Sequence, residues 1–400
     1  MPALRIVLWV GLVIVADSCL AQVRAQHDSR RQEALALEQQ GKLPQAEAAW
    51  RAIAKTQPNN PEPYGHLGLL ESHQEHYKEA VGYYRKALAL KPDIPGLRLN
   101  LGLALFKGGD LKGAIPEFKI LLNGAAPGSA EALRFNTLIG MSYYGLAEYA
   151  DAAPYLQKAA DQEPGNPALL LSLAHSYLWS KQFKNVLNVY QQILTINPDS
   201  AEADMLAGEA LDEMKDDAGA TKMFRLAVKA NPKEPDAHFG LGYLLLSRKQ
   251  LDEAATEFKA ELANDPDHLQ SLLYLADADI QMNQLDAARP LLERVIQIDP
   301  TVALAHLDLG IVYSERNRNE DAVRELSIAE KQMPDNVNVH WRLARLYRTM
   351  GRREEAQAEF DKASSLNKAA DDDLYKKISA SGARGPKGRP PALPPIGKPE

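Results

Sequence analysis

Apolar residues recur along most of this chain as pairs of short runs at helical spacing. Within residues 235–268, Leu241, Leu244 and Leu245 share one helical stripe. The pattern stops near Arg248-Lys249-Gln250, and Ala254, Phe258 and Leu262 form a second stripe. Asn264-Asp265-Pro266 ends it, because the residue before a proline is pushed out of the helical region. The same pattern returns at a fixed interval. Pro164, Pro198, Pro232, Pro266, Pro300 and Pro334 are each 34 residues apart, and Pro58 and Pro92 form an earlier pair at that spacing. A constant period of this size predicts one helix-turn-helix unit copied many times.

With the proline at position 32, units start at His27, Pro61, Pro95, Leu133, Pro167, Ala201, Pro235, Leu269, Ala303 and Val337, and the array spans residues 27–370. The third interval is 38 residues, its surplus falling in the Gly/Pro/Ser loop at residues 123–130. Position 8 is always Gly or Ala, as in Gly68, Gly102, Gly140, Gly242 and Gly310. Position 20 is Ala in every unit but one, where Val186 stands. Position 24 is large and mostly aromatic: Trp50, Tyr84, Phe118, Tyr190, Phe224, Phe258 and Phe360. Glycine costs about 1 kcal/mol in a helix interior relative to alanine, so its recurrence there predicts a close helix crossing.

Leu67-Gly68, Ala80, Tyr84, Ala87 and Pro92 in one unit, and Leu309-Gly310, Tyr313, Ala322, Ala329 and Pro334 in another, resemble the tetratricopeptide repeat. The resemblance implies an all-α, right-handed superhelical solenoid of about ten helix-turn-helix repeats. The first unit departs from the pattern at Arg30, Glu33 and Ile53, as a cap would, and the last has Lys368 in place of the proline. In this family the first helices line an inner wall, with positions 2, 5, 9, 12 and 13 facing a protein or peptide partner. Those positions carry Leu99, Leu103 and Phe106, then Met141 and Tyr144, then Leu171, Leu178 and Trp179. Further on they carry Met205, Phe239, Tyr243, Leu273, Ile311 and Trp341, with Arg345 and Arg348 in the last unit. The wall is apolar and aromatic, which suits an amphipathic helix or an extended peptide. The competing expectation is that many of these residues pack between neighbouring first helices. No unit pairs Lys at position 5 with Asn at position 9, so the clamp for chaperone tails found in some relatives is not expected.

No nucleotide loop, nucleophile elbow or HExxH motif appears, and the repeats leave no room for a catalytic domain. We therefore expect no catalytic residues, cofactor or metal. His66, His73 and His76 with Glu71 and Glu75 are the nearest approach to a ligand cluster, but they straddle a helix end and a turn. His238 and His306, at position 4, read as packing residues. Pro116, Pro154 and Pro290 share position 22, near the start of second helices, where few N–H bonds are lost. A minor alternative is an enzyme or enzyme subunit acting on envelope polymers.

A net charge of -7 disfavours non-specific nucleic-acid binding. Ile6–Val15 is an uncharged apolar run behind Arg5, too short to span a bilayer, and small residues precede Gln22 and Gln26. Residues 1–25 therefore read as an export signal of a bacterial, periplasmic or extracellular protein; retention as an inner-membrane anchor is the alternative. Cutting would remove Cys19, the single cysteine, which suits an oxidising compartment. Residues 371–378 suggest a short closing helix, and the Pro/Gly-rich basic residues 379–400 a disordered tail. N-terminal sequencing of the mature protein should read Gln22 or Gln26; a chain that retains residues 1–21 is anchored rather than released.

Overall fold

The structure, a computed structural model, describes residues 26–380. Among these it contains twenty α-helices and no strand. Residues 1–25 and 381–400, read above as leader and tail, lie outside the described residues. By its contacts the chain divides into two units, Met1–Met223 and Phe224–Glu400, with the boundary inside one helix.

In the first unit the helix pairs are α1 (26–39) with α2 (Leu43–Thr56), α3 (Pro61–His73) with α4 (Tyr77–Leu90), and α5 (Leu97–Lys107) with α6 (Leu111–Gly124). They continue as α7 (Ala130–Gly145) with α8 (Tyr149–Gln162), α9 (Pro167–Trp179) with α10 (Phe183–Ile196), and α11 (Ala201–Glu213) with the boundary helix α12 (Asp217–Ala230). The second unit holds α13 (Ala237–Ser247) with α14 (Leu251–Asn264) and α15 (Leu269–Gln281) with α16 (Leu285–Ile298). It ends with α17 (Ala303–Glu315) and α18 (Asn319–Gln332), then α19 (Val337–Thr349) and α20 (Arg353–Ala380). Within each unit a second helix packs on its own first helix and on the next one, and successive first helices also touch, as α13, α15, α17 and α19 do. First helices are thus held from several sides. In α9, Leu169, Leu170, Leu173, Ala174, Ser176, Tyr177 and Leu178 are buried, against only Val186, Val189, Tyr190 and Ile193 in its partner α10.

The stop between the two helices of a pair has one geometry throughout. Position 15 has positive φ in all ten repeats: Gly41, Glu75, Gly109, Ala147, Lys181, Lys215, Lys249, Asn283, Asn317 and Gly351. The next amide then reaches back five residues, as Gln182 N does to Tyr177 O at 2.8 Å, while Lys181 N donates to Leu178 O at 2.9 Å. This left-handed cap satisfies carbonyls that the helix end would otherwise leave open. Seven of the ten residues carry a side chain there, so tertiary packing holds a conformation that local preference disfavours.

Helix crossing is set by positions 8 and 24. A Cβ on Gly68 would lie 2.5 Å from Tyr84 Cε1, and one on Gly242 2.8 Å from Phe258 Cε1. Tyr84 is 1% exposed and Phe258 0%. The ring fills the space that the missing methyl leaves, at the density expected of a protein interior. The period prolines have a second role besides stopping helices. Tyr64 Oη donates to Pro58 O at 3.2 Å, and the ring Nε2 atoms of His306 and His340 approach Pro300 O at 3.1 Å and Pro334 O at 2.7 Å. Position 4 of one repeat is thereby tied to the proline carbonyl of the repeat before. The Nδ1 atoms of His238, His306 and His340 face the carboxylates of Glu257, Glu325 and Glu359 at 2.6, 2.8 and 2.6 Å. For His306 and His340 both polar ends of the buried ring have a partner, which is what burial demands.

Pro116, Pro154 and Pro290 lie inside α6, α8 and α16, each of which continues unbroken past its proline. Residues 371–378 do not form a helix of their own: α20 runs without a break from Arg353 to Ala380, taking in Ser379 and Ala380 as well. Lys368 stands at position 32, so the steric stop that ends other second helices is missing. Gly242→Leu should destabilise the fold by about 1–3 kcal/mol through overpacking against Phe258. Thermal or urea unfolding measures this, and an unchanged midpoint would refute the close crossing.

Candidate functional site

The first-helix positions expected to face a partner divide into three groups. Leu178 and Met205 (7% exposed) and Leu273 and Ile311 (9%) are core residues. They were expected on an open wall; neighbouring first helices cover them, so they are removed from the candidate surface. Leu99, Leu103, Phe106, Met141, Tyr144, Leu171 and Phe239 are half-buried, each supporting the wall with one edge. Trp179, Tyr243, Trp341, Arg345 and Arg348 are exposed to differing degrees.

Two aromatic patches result, one in each unit. In the first, Trp179 at the end of α9 is 62% exposed, and its ring stacks on Tyr149 at 6.2 Å. Tyr149 meets Tyr144 edge-on at 5.7 Å, and Tyr144 meets His175 at 6.3 Å. His175 Nε2 lies 3.2 Å from Glu202 Oε1 on α11. Burial, with Tyr149 and Glu202 beside it, pushes the Tyr144 hydroxyl pKa up. An exposed indole braced by a second ring keeps little conformational freedom to lose on binding, which favours it as an anchor. Beside it, Lys181, Gln182, Phe183, Lys184, Asn185 and Met214 line an open depression of about 380 Å³.

In the second unit, Tyr243 on α13 is 41% exposed and packs edge-on against Tyr274 of α15 at 5.4 Å. Phe239 lies beneath, 6.0 Å from Tyr274 and 5.3 Å from His268. The wall then changes character. Asp277 follows Tyr274 on α15, Asp308 projects from α17, and Arg342 and Arg345 come from α19. Burial first, and the Asp277 carboxylate second, raise the Asp308 carboxyl to about 7, opposed by Arg342. From α13 to α19, the wall runs aromatic, acidic, basic.

Tyr149, His175, Tyr274, Asp277 and Asp308 were not among the expected site residues. Tyr274 and Asp308 sit at position 6, outside the five positions read as partner-facing, and Tyr149 opens a second helix. His175 and Asp277 sit at position 9, one of those five, so position was the signal available for them.

Among the described residues, Glu330, His340 and Glu359 alone bring three potential metal-ligand atoms within 4.8 Å of one another. Lys362 Nζ, however, donates to Glu330 Oε1 at 2.7 Å and to Glu359 Oε1 at 2.9 Å, and so already holds the cation position. Two of the histidines at residues 66–76 are likewise engaged. His66 stacks on Trp50 at 4.2 Å with Nδ1 on the Glu38 carboxylate, and His76 Nδ1 lies 3.0 Å from Glu71 Oε2. These contacts brace the fold.

The raised Asp308 carboxyl has a consequence for stability. Its proton is held more tightly in the folded chain than in the unfolded one, whose carboxyl titrates near 3.8. The folded state therefore loses relative stability as pH rises from the unfolded value through about 7. Asp308→Asn should raise the melting temperature at about pH 8 and have little such effect at about pH 4. An equal shift at both pH values would show that Asp308 does not titrate this way.

Comparison with known proteins places the repeat. Profiles described as tetratricopeptide repeat match residues 31–95, 67–130 and 218–268, residues 144–208 and 280–332, and residues 337–369. Among curated proteins, the chain is 24% identical over 245 residues to the RNA polymerase-associated protein CTR9 of Caenorhabditis elegans, covering 60% of this chain and 21% of that protein. It is 23% identical over 310 residues to the DnaJ protein P58IPK homolog B of Oryza sativa subsp. japonica, covering 74% of this chain and 60% of that protein. The chain thus spans less than two thirds of the length of these relatives. Among solved structures, MamA is 21% identical over 41% of this chain and 96% of its own, with a TM-score of 0.39. YrrB, titled a TPR protein with an unusual peptide-binding site, is 17% identical over 47% of this chain and 97% of its own, with a TM-score of 0.41. With the profiles spread over most of its length, and a position-8 glycine or alanine in every unit, this chain belongs to the tetratricopeptide repeat family.

Proposed function

We propose that this protein is a non-enzymatic protein-interaction scaffold of the bacterial cell envelope, which holds a peptide or helix of its partner on the face lined by its first helices. The observation that carries the reading is the exposure of Trp179 on a first helix of one unit and of Tyr243 on a first helix of the other, each backed by a packed aromatic cluster. Apart from Leu69, Leu304 and Trp341, the other large apolar residues of the first helices are covered or half-buried, so these braced rings are apolar area that a partner can bury. Aromatic side chains with rigid support are typical energetic centres of interfaces. The envelope setting rests on the apolar run at residues 6–15, read as a leader whose cleavage would take Cys19, the single cysteine, with it.

A relative that favours an enzymatic role is the human protein O-mannosyl-transferase TMTC3, 22% identical over 300 residues, which cover 73% of this chain and 30% of that protein. Against it, the titratable groups on the first helices are spread over several of them, as Asp277 on α15, Asp308 on α17 and Arg342 on α19 are.

Trp179→Ala and Tyr243→Ala, combined, should weaken capture of the native partner by at least about tenfold, the effect of losing a central aromatic anchor. Helix content by circular dichroism should stay unchanged. The partner is first identified by crosslinking in the native host; full-strength binding by the double variant would remove this face from consideration.

A further inference from the structure

The last repeat leaves open positions that the earlier repeats of the second unit bury wholly or in part. At position 5, Phe239 is half-buried, Leu273 is 9% and Leu307 4% exposed, but Trp341 is 46% exposed. At position 24, Phe258, Leu292 and Leu326 are fully buried, whereas Phe360 is half-buried. At position 12, Leu246 is buried and Ile280 and Ser314 are half-buried, whereas Arg348 is open to solvent. The cause is visible in α13 and α14: Tyr274 of the following first helix lies 6.0 Å from Phe239 and 6.3 Å from Phe258, closing over both. After α19 no further first helix follows among the described residues. α20 runs on in its own direction as one helix to Ala380. Trp341 and Phe360, 5.1 Å apart and edge-on, are left facing the place of an absent first helix.

α19 carries Arg342, Arg345 and Arg348 and no carboxylate, and Glu315 of α17 lines a small cavity with the first two. The Arg348 guanidinium lies 5.8 Å from the centre of the Phe360 ring, and neither Arg345 nor Arg348 has a carboxylate partner among the described residues. Arginines nearby are paired: Arg294 with Asp267, Arg316 with Asp286, Arg318 with Asp321, Arg352 with Glu355. The position equivalent to Arg348 in the preceding repeat, Ser314, borders a cavity of about 70 Å³ together with Arg342 and Arg345 of the next first helix. Side chains at positions 6 and 9 of an incoming helix therefore meet position 12 of the one it stacks on. An incoming helix with a carboxylate there meets Arg348.

We propose that the C-terminal end of the array takes an acidic amphipathic helix from a partner protein, stacked on Trp341, Phe360 and Arg348 as an eleventh first helix. This goes beyond the first-helix face assigned above, and does not depend on Trp179 or Tyr243. The chain contains a template for such a helix. α15, with Tyr274 at position 6 and Asp277 at position 9, already stacks in this manner on α13. The chain's own C-terminal residues are a poor occupant by charge, since Arg384, Lys387, Arg389 and Lys398 would meet arginines.

The test uses a fluorescein-labelled, helix-stapled peptide with the sequence of residues 269–281, titrated with the full chain. Saturable binding is expected, and added salt should weaken it. Arg345→Glu with Arg348→Glu should reduce affinity by at least about tenfold, as should Asp277→Lys in the peptide. Trp341→Ala with Arg348→Gln serves if the charge reversal lowers helix content, and should give a loss of the same order. Absence of saturation, or equal binding by these variants, overturns the proposal. So does self-association of the wild-type chain, seen by light scattering and dissolved by the same variants, since a second copy is then the occupant. Deletion of residues 381–400 that tightens peptide binding more than tenfold would make the chain's own tail the occupant, and this too overturns the proposal.

Discussion

The structure depends on one contact repeated along the chain, a residue with no more than a methyl group on a first helix against a large side chain on its partner. Where the small residue is glycine, as at Gly68, Gly242 and Gly310, an added Cβ would come within 2.5 to 2.8 Å of Tyr84, Phe258 and Leu326. That proximity brings the two helices close enough for the pair to act as one unit. A single pair has too little apolar surface to cover itself, so it is stable only against neighbours. Stacking then follows, and with it the tie from position 4 to the preceding proline carbonyl, seen at Tyr64, His306 and His340.

Stacking also decides what is left for a partner. A first helix is covered by its own second helix, by the second helix before it and by first helices on either side. Few of its large apolar residues remain open. The exposure of Trp179 and Tyr243 is therefore informative in a way that exposed leucines on second helices are not. Trp341 is open for a different reason, because no first helix follows α19 among the described residues. The aromatic patches and the array end are thus separate consequences of the same packing rule.

Much of the fold was legible because its determinants are local and periodic. The prolines stop second helices by steric conflict, and glycine at a constant mid-helix position announces a crossing. The turn was not legible. Glu75, Lys181, Lys215 and Lys249 adopt a left-handed backbone that their side chains disfavour, so only the completed packing reveals it. The site was legible in part. Helical spacing identified which residues lie toward the first-helix face, but not which of them a neighbour covers. Leu178, Met205, Leu273 and Ile311 satisfy the same spacing as Trp179 and Tyr243 and yet are core. Tyr274 and Asp308 become part of the wall only through helices some 30 residues away, at positions that one unit taken alone gives no reason to notice. The length of α20 was missed because Lys368 merely removes a stop.

The central claim is that partners engage the first helices, with the second helices serving as their support. Site-specific photocrosslinking in the native host tests it most directly, with the crosslinker placed in turn at Tyr243 on a first helix and at Ile120 and Ile298, both exposed on second helices. The account predicts a discrete crosslinked partner from Tyr243 and none from Ile120 or Ile298. Crosslinks arising from Ile120 or Ile298 alone would contradict it.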